Sequence, residues 1–349
     1  MINFDLTEPE VISSYNLARQ CDLVFSEILT VSQFKEINPE NVTIIESNSR
    51  YIFYKKKKYK LKTNDIVFCN TNLVTELFKD LKKIKNLKNL TLITNQTDDK
   101  IDKRLFLKKP KSIVNWFSVN VAYEHKNLIP LPLGLSNDYS PKNLRTSDFR
   151  SIMFSKEFDL NKLMYLNFNV NTNTSVRESL ESIYKNEQWS YFENNVLTLE
   201  DYSKKLKEFK FVLCPQGNGI DTHRIWEALY SGAIPIVQKH TSHKNLDGLP
   251  ILFLDDLRNI SKEKLTSYLK KIKYEDFDFN KLTCSYWLNI MRSNQEEGNS
   301  TENIVNVNYL SDKRFILKFK IISKYRSKLK ILKYYLKKMG RLINIKNEN

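Results

Sequence analysis

Residues 209–237 read FKFVLCPQGNGIDTHRIWEALYSGAIPIV. Residues 209–213, apolar except for Lys210, fit a buried strand, and Pro215 stops it because proline has no N–H to give to a ladder. Gly217 and Gly219 then permit a tight loop whose backbone N–H groups approach a ligand closely. Asp221 or Thr222 caps a helix over 222–231, whose positive end suits a phosphate. Ile225, Ala228 and Leu229 form its buried stripe, while Arg224 and Glu227, three apart, share another face near the loop. Gly232 ends the helix, and 233–237, with Pro235, is the next strand. Strand, loop, helix and strand in this order make a unit of a parallel sheet, which binds ligands at the carboxyl ends of its strands.

At such an edge an arginine suits a diphosphate, because its planar fork makes paired charge-assisted bonds. A glutamate suits a ribose diol, because a carboxylate accepts what the hydroxyls donate. The spacing alone equally permits a plain turn with a surface Arg–Glu pair. It is not the dinucleotide fingerprint, which needs G-x-G-x-x-G and a later acid, nor a P-loop, since Gly-Lys-Ser/Thr is missing.

Working outward, residues 65–69 and 90–94 read as strands. The helix expected at 72–83 carries Leu73, Leu77, Phe78 and Leu81 on one face, and 113–117 and 128–133 are short extended pieces. The rhythm restarts at 163–168, continues through helices expected at 176–186 and 199–207, and ends with a strand at 249–254 and a helix at 262–272. This predicts an α/β protein whose parallel sheets are covered on both faces. Two units of about 150 residues fit two Rossmann-like domains, 1–145 and 146–300, with the boundary in the polar stretch 137–155 and a tail over 301–349.

The 349 residues are 41% hydrophobic and 28% charged, with 7 Gly and 9 Pro, which excludes a low-complexity or disordered chain. Asp5, Glu8 and Glu10 with no apolar run argue against a leader, and no stretch of about 18 apolar residues occurs, so a cytoplasmic protein is expected. Cys21, Cys69, Cys214 and Cys284 are scattered, and read as reduced core thiols rather than disulfides or a zinc site. Of the net charge of +16, residues 312–349 supply +11, leaving a mildly basic body of +5.

The pattern Lys210-Phe-x-Leu-Cys-Pro-x-Gly-x-Gly-x-Asp-x-x-Arg-x-x-Glu-Ala-Leu-x-x-Gly-x-Ile-Pro235 resembles the nucleotide-binding signature of exostosin-like glycosyltransferases. That resemblance implies a GT-B fold, with two Rossmann-like domains facing across a cleft and a nucleotide-diphosphate sugar as donor. Residues 1–145 would then be the acceptor domain and 146–300 the donor domain. Arg224 would meet the diphosphate and Glu227 the ribose. Pro215, Gly217, Asn218, Gly219, Asp221, Thr222 and His223 would form the donor loop. Upstream, Tyr165-Leu-Asn-Phe-Asn-Val-Asn-Thr-Asn-x-x-x-Arg177 is similar to the first strand and loop of the same domain, making Asn169 and Arg177 donor residues. Trp116–Asn120, with 129–137, is similar to the end of the first domain in such proteins. No cofactor is implied.

Inverting transfer needs a base across the cleft. Asp98, in the loop after strand 90–94, is the first candidate and His125 the second. Trp226 reads as core. His240 and His243 lack a neighbouring acidic or cysteine ligand, so no metal is expected there. Asp276-Phe-Asp278 would serve a metal-dependent GT-A enzyme, but it lies late in the chain and reads as a solvated acidic loop.

From Ile322 the apolar positions Ile322, Tyr325, Leu329, Leu332, Leu336 and Met339 step by three and four among lysines, which predicts a basic amphipathic helix. It suits either an anionic membrane surface, met through 312–345 while acting on a glycan or lipid-linked glycan, or a stripe closing across both domains. A non-enzymatic electropositive binding protein is the competing function. Nucleic acid is not expected, because no base-stacking or groove-reading motif is present.

Overall fold

The computed structural model describes residues 2–155, 157, 159–293, 302–307, 312–322, 324, 325, 328 and 329. Residues 1–304 form one unit and 305–349 a second.

The first unit holds two large sheets. Strands of the first half are β1 (Ile2–Asp5), β2 (Leu23–Thr30), β3 (Val42–Ser47), β4 (Tyr51–Lys56), β5 (Lys58–Leu61), β6 (Ile66–Asn70), β7 (Leu90–Asn95), β8 (Ile113–Ser118) and β9 (Leu128–Pro130). The seven-stranded sheet runs β3-β4-β2-β6-β7-β8-β9. From β2 to β9 neighbouring strands are parallel, whereas β4 pairs antiparallel with both β2 and β3. The wholly parallel sheet expected here is therefore extended by an antiparallel hairpin. The sequence hides it because Tyr51, Lys55 and Lys56 interrupt the apolar pattern that marks the other strands. Every residue of β6 and β7 is buried, as expected of strands covered on both faces.

The second half contributes β10 (Ser151–Phe154), which pairs with β1, then β11 (Met164–Leu166), β12 (Ser190–Phe192), β13 (Phe211–Leu213), β14 (Ile234–Gln238) and β15 (Leu252–Leu254). The last five form an all-parallel sheet in the order β12-β11-β13-β14-β15. This 2-1-3-4-5 order reverses direction between β11 and β13, which makes that gap the switch point where doubly wound sheets bind ligands.

The crossovers that place the site are α1 (Thr174–Tyr184), following β11, and α2 (Leu199–Glu208), leading into β13. The third, α3 (His223–Tyr230), joins β13 to β14. Thr198 caps α2 by accepting the N–H of Asp201, a contact worth about 1 kcal/mol. A continuous core joins the two sheets: Phe68, Ile93 and Phe117 of the first belong to the same buried cluster as Trp226, Leu229 and Tyr230 of α3.

In the second unit, residues 312–322, 324, 325, 328 and 329 are helical. Ile322, Tyr325 and Leu329 thus lie on a helix as expected, while Leu332, Leu336 and Met339 fall outside the described residues. Among the described residues, no helix is long and apolar enough to cross a membrane.

Candidate functional site

A cavity of about 440 Å³ opens where the carboxyl ends of both sheets meet, a volume within the range of small-molecule sites. One wall follows β7 and β9 and includes Asn95, Asp98, Asn137 and Asn143. The other follows β11 and β13 and includes Arg177, Gly217, Asn218, Gly219, Asp221, Thr222, His223, Arg224 and Glu227. The loop after β13 therefore lies at the switch point, and Asp98 faces the same space from the other half.

Arg224 is the group with chemistry to spare. It makes no hydrogen bond or ion pair among the described residues, and its Nε is buried without a partner. Burial works against its charge, but Tyr202 and Glu227 outweigh that and hold it above the ordinary arginine value. Thr222 precedes α3 with no side-chain cap bond, and its Oγ1 is likewise buried and unpartnered. Across the cavity the Asn95 Nδ2 is in the same condition. A cationic fork, an uncapped helix N-terminus and an unpaired amide donor together favour an anion with several acceptor oxygens.

Arg177 is used differently. Its Nε donates to the Gln216 carbonyl at 3.0 Å and its Nη2 to the Pro215 carbonyl at 2.9 Å. Its Nη1 reaches the Asn169 carbonyl at 3.0 Å and the Thr172 Oγ1 at 2.6 Å. Four of its five N–H groups thus shape the loop, leaving one on Nη2. Burial, then the charge of Arg224, push it down to about 10. Asn169 and Pro215 act through those carbonyls, and neither lines the cavity. A Cβ on Gly217 would stand 3.1 Å from the Arg177 Nη2, so the guanidinium sits where a side chain would go.

Glu227, 1% exposed, is also largely committed. Its Oε1 accepts from Asn143 Nδ2 at 3.2 Å and from the Leu144 N–H at 3.1 Å; its Oε2 accepts from the Tyr202 hydroxyl at 2.8 Å. With about four lone-pair positions on a carboxylate, roughly one remains for a ligand. Asp221 is not the helix cap. It accepts from the Leu133 N–H at 2.9 Å and from the Trp226 indole at 3.1 and 3.2 Å. Burial pushes it up to about 7 despite those bonds. Trp226 is core, as expected, with no exposed surface.

The loop is stitched to the first half at two further points. Asn120, after β8, accepts the N–H groups of Ile220 and Asp221 at 2.7 and 3.0 Å. Those two amides are therefore spent inside the protein rather than left for a ligand. A Cβ on Gly219 would lie 3.1 Å from the Asn120 amide, which is the close approach this glycine permits. The His223 Nδ1 lies 2.8 Å from the Gly134 carbonyl. Gly134 itself has φ +71, and a Cβ there would fall 2.1 Å from the Ile12 carbonyl oxygen.

Asp98 is exposed at the cavity rim. His125 is not among the lining residues; it sits in a ring cluster with Phe106 and Tyr123, its Nδ1 accepting the Asn127 N–H. Asp276 and Asp278 do not line the cavity either, and Asp278 caps the turn Phe279–Leu282. Among the described residues, no three His, Cys, Asp or Glu side chains converge as a metal-binding group. Tyr202, Asn143 and Asn137 escaped sequence reading, because nothing in a lone Tyr or Asn distinguishes a site residue from any other.

The fold and cavity define an α/β protein with an anion-receptive site at a doubly wound switch point. The family model of the RXYLT1 C-terminal domain matches residues 166–249. That part of the chain is similar to a xylosyltransferase family related to exostosin-type glycosyltransferases, and the match suggests a glycosyltransferase. It spans every expected donor-side residue from Asn169 to Glu227, whereas Asp98 and His125 lie outside it. No curated protein matches the chain.

Proposed function

We propose that the chain is a glycosyltransferase of GT-B organisation, with residues 1–145 as acceptor half and 146–300 as donor half. It transfers a sugar from a nucleotide diphosphate to a glycan or lipid-linked glycan in surface polysaccharide synthesis. The observation that carries this reading is the unpartnered Arg224 guanidinium beside the uncapped start of α3, inside the segment similar to a glycosyltransferase family. In that arrangement Arg224, the α3 N-terminus and the last free Nη2 N–H of Arg177 hold the departing diphosphate without a metal. The acceptor hydroxyl attacks the anomeric carbon from the opposite face, its bond forming as the bond to the diphosphate oxygen breaks. In this reading Asp98, which lines the facing wall, takes the hydroxyl proton. The one lone pair that Glu227 keeps suits a ribose hydroxyl.

The +11 charge of residues 312–349 supports a peripheral association with an anionic membrane at the cytoplasmic face. The test of the function is a thermal-shift panel of UDP, GDP, CMP and their sugars. One of them raises Tm in the wild type and not in Arg224→Ala. No shift from any of them sinks the reading and leaves the electropositive binding protein. Loss of turnover on adding EDTA would instead favour a metal-dependent enzyme.

A further inference from the structure

The contact between His223 and Gly134 constrains what this histidine can offer a ligand. A carbonyl oxygen only accepts, so the Nδ1 that lies 2.8 Å from it must carry the proton. In the neutral ring, Nε2 is then a bare lone pair, an acceptor that repels phosphate oxygens. Only with a second proton does Nε2 become a donor. Nε2 has no hydrogen bond among the described residues, and the residue lines the same cavity as Arg224. It is also the first residue of α3, where the helix presents its unpaired N–H groups. The Gly134–Leu135 peptide is tied down by the Leu135 N–H, which donates to the Ile12 carbonyl at 2.7 Å and so keeps the Gly134 carbonyl turned to the His223 ring.

We infer that His223 holds the donor's diphosphate as an imidazolium, so that donor binding takes up one proton. The inference rests on the donor-site reading above and adds a regulation to it: affinity for the donor falls as pH rises. The arriving diphosphate brings negative charge to the Nε2 edge of the ring, and an adjacent anion favours the doubly protonated form over the neutral one. The other charged or titratable groups around the cavity are Arg177 on α1, Glu227 on α3, Asp221 in the loop, Asp98 after β7 and Tyr139 after β9. Of these, Asp221 is the rival source of proton uptake, because a nearby anion also favours its protonated form.

The experiment uses the full chain and the nucleotide sugar of a UDP-glucose and GDP-mannose panel that raises Tm. Calorimetry in buffers of different ionisation enthalpy reads proton uptake, and titrations across pH 5.5–8.5 read affinity. The expected wild-type result is uptake approaching one proton and an affinity that falls towards tenfold per pH unit. In His223→Asn the amide still donates to Gly134 but has no Nε2, so uptake disappears and affinity becomes flat with pH. Persisting uptake in that variant assigns the proton to another group, Asp221 first, and overturns the inference. The ring C–H signals of the four histidines give a variant-independent check, His223 being assigned by its loss in His223→Asn. Its protonation midpoint rises on adding the nucleotide sugar, and an unmoved midpoint also overturns the inference. If no nucleotide sugar binds at all, it is the donor-site reading that fails.

Discussion

Asn120 accepts the backbone N–H of Ile220 at 2.7 Å across 100 positions of sequence, tying the loop after β8 to the loop after β13. The same oxygen takes the Asp221 N–H at 3.0 Å, so one buried amide fixes two successive peptides of the donor loop. Asn120→Ala takes the acceptor away from two N–H groups on the buried residues Ile220 and Asp221. The expected cost is about 2 kcal/mol of stability, read from urea denaturation, together with a weaker nucleotide-induced rise in Tm. An unchanged midpoint would mean that the loop holds its shape without this tie.

Arg224 and Arg177 separate binding from folding. The Arg224 guanidinium makes no hydrogen bond or ion pair among the described residues, so Arg224→Ala deletes no such bond and takes away only its attraction to Tyr202 and Glu227, at a cost to the free protein of about 1 kcal/mol. Nucleotide affinity drops roughly a hundredfold, about 3 kcal/mol. Equal losses in stability and in binding would show that Arg224 is a structural residue.

Arg177→Ala gives the opposite profile. Four hydrogen bonds into Asn169, Thr172, Pro215 and Gln216 disappear, leaving three carbonyls and a hydroxyl without that partner. The expected destabilisation is about 3 kcal/mol in the absence of any ligand. Arg177→Lys does not restore it, since an ammonium cannot reproduce the planar fork.

How far the sequence carried this architecture depends on where apolar runs coincide with buried strands. The segments 65–69, 90–94 and 209–213 are short, mostly apolar and bounded by turn residues, and β6, β7 and β13 follow them within two residues. β2 and β4 were not legible, because Glu27 and Lys55 are buried polar residues in strand interiors, stabilised by partners that no local pattern announces: Glu27 pairs with Arg19 and Tyr54. In the site, the glycine loop and Arg224 could be read from spacing, and Arg177 only from the family resemblance. The division of labour between the arginines could not, because it depends on which carbonyls lie within 3 Å of Arg177. Asn120 and Gly134, which anchor the loop from 100 and 89 positions away, carry no local signature.

Asp221 makes stability depend on pH with a definite sign. Burial raises its carboxyl to about 7 in the folded protein, from an ordinary value near 3.8. A raised acid binds more protons folded than unfolded between those limits, so its contribution falls as pH climbs from about 4 to about 7 and stays low above. The span corresponds to roughly 4 kcal/mol. Asp221→Asn keeps an oxygen for the Leu133 N–H and removes the charge, so its stability loses that decline. Urea midpoints at pH 5, 6, 7 and 8 check this, and parallel curves for the two proteins refute it.

Glu227 tests whether the last lone pair of a crowded carboxylate is used. In Glu227→Gln the retained oxygen can still accept from Asn143 Nδ2 and Leu144 N, as Oε1 does now. The new amide faces the Tyr202 hydroxyl, which rotates from donor to acceptor. Stability is therefore expected to change by no more than about 1 kcal/mol. Nucleotide affinity falls roughly tenfold, because the anionic acceptor for a ribose hydroxyl is gone. Removing that hydroxyl from the ligand instead should produce the same loss in the wild type and almost no further loss in Glu227→Gln, since each change deletes one end of one bond. Losses that simply add across the deoxynucleotide and the variant would place the ribose elsewhere, and leave Glu227 as the clamp that holds Asn143, Leu144 and Tyr202 together.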